Sequence, residues 1–296
     1  MSIWLNMLGA NVKGYSLQPP SKPSLFEEAN VSLLLNSEIN DIRNFNNLNK
    51  SIQEFSPEII FHMAAQPLVR ASYNIPLETY ETNVIGTANL LQAAVNSLSV
   101  KAIVNITTDK CYENLEIDIG YKETDRMGGR DPYSSSKGCA ELVTSAYRES
   151  FLMPKNIGVA SARAGNVIGG GDFGVNRIIP DIYRSTKMGE VLQLRMPYAI
   201  RPWQHVLDCL FGYLCALRHI SKSEDSISVN FNVGPQDSNS LTVLDICEQA
   251  KKWFPTLSLK TNSELVAESK FLLLDSKLLT QSTGWKPVYD TSKAVE

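Results

Sequence analysis

A tyrosine and a lysine four residues apart share one face of a helix, and the pair can move protons: a nearby ammonium lowers the phenol from its ordinary value near 10 toward neutrality. The spacing occurs at Tyr133/Lys137, Tyr183/Lys187 and Tyr289/Lys293. Only Tyr133 opens a helix-like stretch that follows a strongly apolar strand with a polar tip. Tyr183 follows I-I-P-D-I and Tyr289 follows G-W-K-P, where an exposed helical pair is the ordinary reading. The polar tip is Thr107-Thr108-Asp109-Lys110. A hydroxyl, an acid and an amine at the carboxyl end of a parallel strand can hydrogen-bond a sugar and exchange protons with it. Three further segments could hold a ligand. His62-Met63-Ala64-Ala65-Gln66-Pro67 has small residues that admit a cofactor close to backbone. Asn166 to Asp172, with Arg177, is glycine-rich and could bind phosphate. Arg201-Pro202-Trp203-Gln204-His205 sets an arginine beside an aromatic ring, which suits a nucleotide diphosphate. Taken singly, each also fits an ordinary structural use: a helix cap, a tight turn, a glycine loop or a packed tryptophan.

The elements that must carry these residues alternate between strand and helix. Strands are predicted over Asn11–Ser16, Ser37–Asn40, Glu58–His62, Val100–Ile106, Asn156–Arg163 and Val229–Val233. Helices are predicted over Met1–Leu8 with Gly9 as its C-cap, Arg43–Phe55, Leu77–Ser97, Asp131–Ser150, Val206–Leu217 and Leu241–Phe254. Pro132 falls at an early helical position, where its missing N–H costs little. Pro19–Pro23 is expected as a loop and Asn166–Asp172 as a glycine-rich turn. Such alternation argues for an α/β fold with a doubly wound parallel sheet covered on both faces. A nucleotide-binding sheet of this kind usually opens with a strand and a glycine-rich turn. Before Gly86 the only glycines are Gly9 and Gly14, so that first strand and loop are expected to be absent from this chain, leaving a gap inside the sheet.

Composition narrows the classes. The chain has 296 residues, 28 Lys+Arg against 31 Asp+Glu, and a net charge of −3, so no basic excess exists to neutralise nucleic acid. No run of apolar residues is long enough to span a membrane. Met1–Ala10 has no positive residue before its apolar stretch, so no signal peptide is expected. Five scattered cysteines, Cys111, Cys139, Cys209, Cys215 and Cys247, predict reduced thiols and a cytoplasmic location rather than a disulfide framework. With three histidines, His62, His205 and His219, no metal site is expected.

Six ordered motifs together resemble the extended short-chain dehydrogenase/reductase family. They are H-x-A-A-Q at His62–Gln66, T-N-V-x-G-T at Thr82–Thr87, T-D at Thr108–Asp109, Y-x-x-x-K at Tyr133–Lys137, G-N-V-I-G at Gly165–Gly169 and R-P-W-Q-H-V at Arg201–Val206. Longer stretches look like the branch of sugar-nucleotide 4,6-dehydratases that acts on CDP-glucose: Y-S-L-Q-P-P from Tyr15, K-P-S-L-F from Lys22, H-M-A-A-Q-P-L-V-R from His62, T-D-K-C-Y from Thr108, D-P-Y-S-S-S-K-G-C-A-E from Asp131 and R-A-G-N-V-I-G-G-G-D from Arg163. Lys110 discriminates, because the dTDP-glucose branch typically carries Glu there.

The resemblance implies a Rossmann-like fold, NAD as cofactor and CDP-glucose as substrate. Residues 1–165 would form the NAD-binding domain, incomplete at its start. Residues 166–296 would form a smaller, mainly substrate-binding portion, with a strand near 229–233 returning to the main sheet. Tyr133 would take the proton of the 4-hydroxyl while NAD takes hydride from the 4-carbon. Lys137 would lower the Tyr133 pKa and hold the nicotinamide ribose, and Thr108 would hydrogen-bond the 4-oxygen. Lys110 would act as base at the 5-carbon and Asp109 as acid for the departing 6-hydroxyl. Hydride returning to the 6-carbon gives CDP-4-keto-6-deoxyglucose, for deoxysugar, O-antigen and lipopolysaccharide biosynthesis. Ser16, Asp41, Ile42, Ala64, Ala65, Gln66 and Asn83 would complete the cofactor site, Ser16 standing where an NAD enzyme often has an acid. Asn166, Arg177, Arg201 and His205 would hold the CDP-sugar. A homo-oligomer, dimer or tetramer, is expected through helices such as Leu77–Ser97 and Tyr133–Ser150. The missing first strand raises two alternatives: a truncated, inactive fragment that binds NAD poorly, or a related sugar-nucleotide epimerase that needs no acid–base pair at the 5- and 6-carbons.

Overall fold

The computed structural model describes residues 1–222, 228–236, 241–261 and 270–296. Helix α1 (Ser2–Met7) ends where Gly9 takes φ 84° and its N–H reaches the Asn6 carbonyl at 2.9 Å. Strand β1 (Lys13–Ser16), α2 (Leu25–Glu28), β2 (Asn36–Ile39), α3 (Phe45–Phe55) and β3 (Ile59–His62) follow. Next come α4 (Val69–Asn74), α5 (Pro76–Tyr80), a π-helical turn at Glu81–Ile85, and α6 (Gly86–Asn96). Then β4 (Ala102–Thr108), α7 (Pro132–Tyr147), β5 (Gly158–Ala164), β6 (Val167–Ile168), α8 (Ile178–Met188) and β7 (Val191–Leu194). The chain continues with β8 (Gln204–His205), α9 (Val206–Lys222), β9 (Ser228–Val233), α10 (Val243–Ala250), β10 (Ser258–Thr261), α11 (Lys277–Thr283) and α12 (Thr291–Val295).

The centre is a parallel sheet in the order β3-β4-β5-β9. Its register sets His62 beside Asn105, and Thr108 beside Ala164. All four carboxyl ends therefore reach one edge, where ligands of such sheets gather. Strand β1 pairs in parallel with β2, and no ladder joins that pair to β3. Side chains of β4 alternate between two cores, as a period of two requires. Ala102 and Val104 face α9 and pack with Ala162, Tyr213, Ala216, Phe231 and Trp285. Ile103 turns the other way, toward Leu48, Ile52, Leu90, Leu91 and Val159. Burial on both faces is why these strands read as continuous apolar runs. A third cluster, with Ile182, Leu192, Leu194, Cys247 and Leu257, joins α8, β7, α10 and β10 beside the main sheet.

The structure corrects several predicted boundaries. Leu77–Ser97 is not one helix: Pro76 starts α5, and the π turn inserts before α6. The helix predicted from Leu241 begins at Val243, because Thr242 and Asp245 close a capping box there. Helices α2, α4, α8, α11 and α12 and strands β6, β7, β8 and β10 lie outside the predicted elements; most are too short, at two to seven residues, to show a period. In α8 the eleven-residue pattern is obscured by Pro180, which the first turn of a helix tolerates.

Candidate active site

Strand β4 ends in the two hydroxyls of Thr107 and Thr108, and a 3-10 turn at Asp109–Cys111 follows at once. Thr108 serves as its cap: Oγ1 accepts from the Lys110 N–H at 3.3 Å and donates to Asp109 Oδ1 at 2.8 Å. Asp109 is 2% exposed, and its Oδ2 has no hydrogen-bond partner. Burial pushes this carboxyl above its ordinary range, against the pull of Lys110, Thr108 and Arg201. A carboxyl so placed holds its proton more tightly than a free one.

Helix α7 delivers the tyrosine and the lysine. Its N-cap Asp131 accepts from the Ser134 N–H at 2.9 Å and from the Ser134 hydroxyl at 2.6 Å. The Tyr133 N–H is held by Ser72 Oγ on α4 at 3.2 Å. Tyr133 is buried, and burial raises its phenol to about 12 despite Thr108 and Arg177, which favour the phenolate. Desolvation of the anion is the largest cause and outweighs the pull of Thr108 and Arg177. Lys137 donates to the Ile106 carbonyl at 3.5 Å, and burial lowers its ammonium to about 8 against the opposing pull of Glu141 and Cys111.

The loop after β3 is fastened to α7 through one side chain. Asn83, in the π turn, accepts from the Gln66 N–H at 2.8 Å and donates to the Gln66 carbonyl at 3.1 Å and to Ser136 Oγ at 2.8 Å. Gln66 in turn donates to Thr79 Oγ1 at 2.9 Å. Ala64 and Ala65 lie half-buried on this loop. π turns recur at functional sites because the extra residue redirects one side chain inward.

A cavity of about 670 Å³ opens at the carboxyl ends of β4 and β5. Thr108, Asp109, Lys110 and Tyr133 line one side, with Asn166, Arg177 and Arg201 across from them. Arg70, Asn176 and Arg195 also line it and had escaped the sequence reading. They come from α4, from a loop and from the end of β7, so no local motif joins them; the only sequence signal was arginine at an element terminus. Several guanidinium groups in one cavity suit a diphosphate. Gly165 lets the wall close: a Cβ there would stand 2.2 Å from Pro202 Cγ.

Other candidates stand outside this cavity. His205 packs its ring on Tyr289, with centroids 4.7 Å apart, and its Nδ1 accepts from the Leu207 N–H at 3.2 Å; Trp203 lines the cavity instead. Ser16 is exposed at the end of β1. The Asp41 carboxylate is held by Arg43 at 2.6 Å, and Ile42 is buried against α3 and α6. Of the other tyrosine–lysine pairs, Lys187 lies over the Tyr183 ring at 5.7 Å, and Tyr289 packs on His205. Among the described residues no helix is long and apolar enough to cross a membrane.

A parallel α/β sheet with a Thr-Asp-Lys strand end facing a helical Tyr-x-x-x-Lys defines the class. The chain belongs to the GDP-mannose 4,6 dehydratase family, whose model matches residues 25–296. It is 49% identical to CDP-glucose 4,6-dehydratase of Salmonella typhimurium over 294 residues, covering 97% of this chain and 82% of that protein. CDP-paratose 2-epimerase of Salmonella typhi is 26% identical, over 86% of this chain and 81% of that protein. Among solved structures, UDP-glucose 4-epimerase of Thermotoga maritima superposes with a TM-score of 0.84 at 19% identity, covering 99% of this chain and 91% of that one. UDP-glucuronic acid 4-epimerase of Bacillus cereus, solved with UDP-glucuronic acid and NAD, gives 0.84 at 19% identity, covering 98% and 90%. At that identity the superpositions establish the Rossmann-like fold.

Proposed function

We propose that this chain is a CDP-glucose 4,6-dehydratase that uses NAD and yields CDP-4-keto-6-deoxyglucose. The observation that carries the reading is one cavity in which Tyr133 faces Thr108, a buried Asp109 with an unpaired oxygen, and Lys110. The 49% identity to the Salmonella dehydratase supports it and favours CDP-glucose as substrate. The side chains present fit NAD: Ala64 and Ala65 keep the end of β3 free of bulk, and Tyr133 and Lys137 lie one helical turn apart beside the β4 tip.

NAD, when bound, would supply the hydride acceptor at the sugar 4-carbon and the donor at the 6-carbon. Tyr133 takes the 4-hydroxyl proton as the ketone forms, with Thr108 hydrogen-bonding the oxygen. Lys137 would hold the nicotinamide ribose. The ketone acidifies the 5-proton, which Lys110 removes. Asp109, whose carboxyl burial pushes above its ordinary range, gives its proton to the 6-hydroxyl, which leaves as water. A proton then returns to the 5-carbon, so the net change is the loss of one water. Ser16, Asp41, Ile42, Gln66 and Asn83 are proposed for the cofactor side. Asn166, Arg177, Arg201 and His205 are proposed for the CDP-sugar, the first three from the cavity lining. Residues 1–165 then serve mainly NAD and residues 166–296 mainly the sugar.

Exposed Leu77, Ile85, Leu142 and Phe151, on α5, the π turn, α7 and the turn after it, support pairing of two copies through these helices. Five free thiols and a sugar-nucleotide substrate favour the cytoplasm, with the product entering deoxysugar synthesis. The test is incubation with CDP-glucose and NAD in D2O, read by mass spectrometry and NMR. The expected product has lost one water and carries deuterium at the 5-carbon. An unchanged substrate, or a 4-epimer of the same mass, overturns the proposal.

A further inference from the structure

We propose that Glu141 is a positioning residue for Lys137, holding its ammonium charged and bringing it to register with the β4 tip. This rests on the dehydratase reading for its kinetic consequence but not for its structural one. Glu141 lies one turn beyond Lys137 on the same face of α7, and four residues is the spacing at which such side chains meet. Its side chain is 1% exposed, and both carboxylate oxygens are engaged. Oε2 accepts from Arg163 Nη2 at 2.8 Å, and Oε1 accepts from the hydroxyl of Thr107. Thr107 neighbours both Thr108, in the proposed site, and Ile106, whose carbonyl receives the Lys137 ammonium. One carboxylate therefore ties the lysine-bearing helix to the strand end that carries the acid–base residues.

Charge gives the second argument. Two groups pull Lys137 toward its charged form, Glu141 more than Cys111. His62 on β3 is neutral, burial holding its pKa at about 3. The Cys111 thiol is pushed well up by burial, and burial also raises Asp109. Burial raises the Tyr133 phenol, and Arg163 on β5 and Arg148 at the end of α7 are buried cations. A lysine beside these groups loses its proton readily; Glu141 opposes that loss. Arg163 is itself fixed by the Tyr112 hydroxyl at 2.9 Å and the Glu123 carbonyl at 3.1 Å, so the carboxylate is held where it acts.

The experiment is the titration of Lys137 by NMR in protein labelled at the lysine side chains, its resonance assigned by its loss in Lys137→Met. In Glu141→Gln, which retains size and hydrogen bonding, the Lys137 midpoint is expected to fall by about one to two pH units, the order of the Coulomb effect of one charge a helical turn away at intermediate dielectric. The alkaline limb of kcat with CDP-glucose and NAD should move down in step, with KM preserved. If Glu141→Gln does not fold, Glu141→Asp keeps the charge but withdraws it, and a smaller fall in the same direction is expected. An unchanged Lys137 midpoint in either folded variant overturns the proposal. Loss of the dehydratase reading alone would remove the kinetic shift and leave the NMR shift in place.

Discussion

His62 gives the acid side of the stability curve a specific origin. The ring is 4% exposed at the end of β3, and its Nε2 lies 2.9 Å from Thr87 Oγ1. The Thr87 hydroxyl donates to the Asn83 carbonyl at 2.7 Å, so it accepts from His62, and the ring is the neutral Nε2–H tautomer. Burial, with Lys137 nearby, lowers its pKa from 6.5 to about 3. The folded pKa lies below the unfolded one, so the unfolded chain binds the proton more readily. The stabilising contribution is present above pH 6.5 and is lost as pH falls toward 3. At pH 5 the deficit is about 1.5 pH units at 1.36 kcal/mol each, or about 2 kcal/mol. With a urea slope of about 3 kcal/mol per M, the unfolding midpoint should drop by about 0.7 M between pH 7 and pH 5 from this group alone. His62→Gln retains a donor for Thr87 and removes the titration. Urea unfolding of both proteins at the two pH values isolates the term, because every other group titrates in both. Equal pH dependence in the two proteins would refute the reasoning.

Three further outcomes follow from the geometry. Asp109→Asn and Lys110→Ala should cut loss of water by about 10²–10⁴-fold while reduction of the nicotinamide by the sugar persists; loss of cofactor reduction by CDP-glucose in stopped-flow absorbance would count against the division of roles. Gly165→Ala sets a methyl against Pro202 at 2.2 Å, so stability should fall by about 1–3 kcal/mol and KM for CDP-glucose should rise as the Arg201–Trp203 wall shifts, both checked by calorimetry and steady-state rates. Trp285→Ala empties a site that is 1% exposed and loses an Nε1 bond to the Asp208 carbonyl at 3.2 Å, which should cost about 3–5 kcal/mol in chemical denaturation.

The part of the fold that could be read from sequence is the part whose residues are buried on two sides. Strands β3, β4 and β5 are apolar along most of their length because α9 and the α3–α6 layer cover opposite faces, and that signature is local. The Thr-Asp-Lys strand end and Tyr133/Lys137 were visible for the same reason, since each is a motif within five residues. Arg70, Asn176 and Arg195 were not, because they meet only when α4, a loop and the end of β7 converge. The raised phenol of Tyr133 was also out of reach: sequence shows the neighbouring lysine but not the loss of water around the ring. His205 was grouped with Arg201 by adjacency, yet Arg201 lines the cavity while His205, the last residue before α9, packs its ring on Tyr289.

The π turn at Glu81–Ile85 separates the history of the site from that of the core. A π turn is an α-helix carrying one surplus residue. Removing one residue there would restore an unbroken α-helix from α5 into α6 and leave Leu90 and Leu91 in phase with the core they fill. The same deletion would withdraw Asn83 from Gln66 and Ser136, freeing the loop that carries Ala64 and Ala65. A single-codon insertion or deletion is therefore enough to build or dismantle this clasp in a lineage, while leaving the scaffold almost blind to the change.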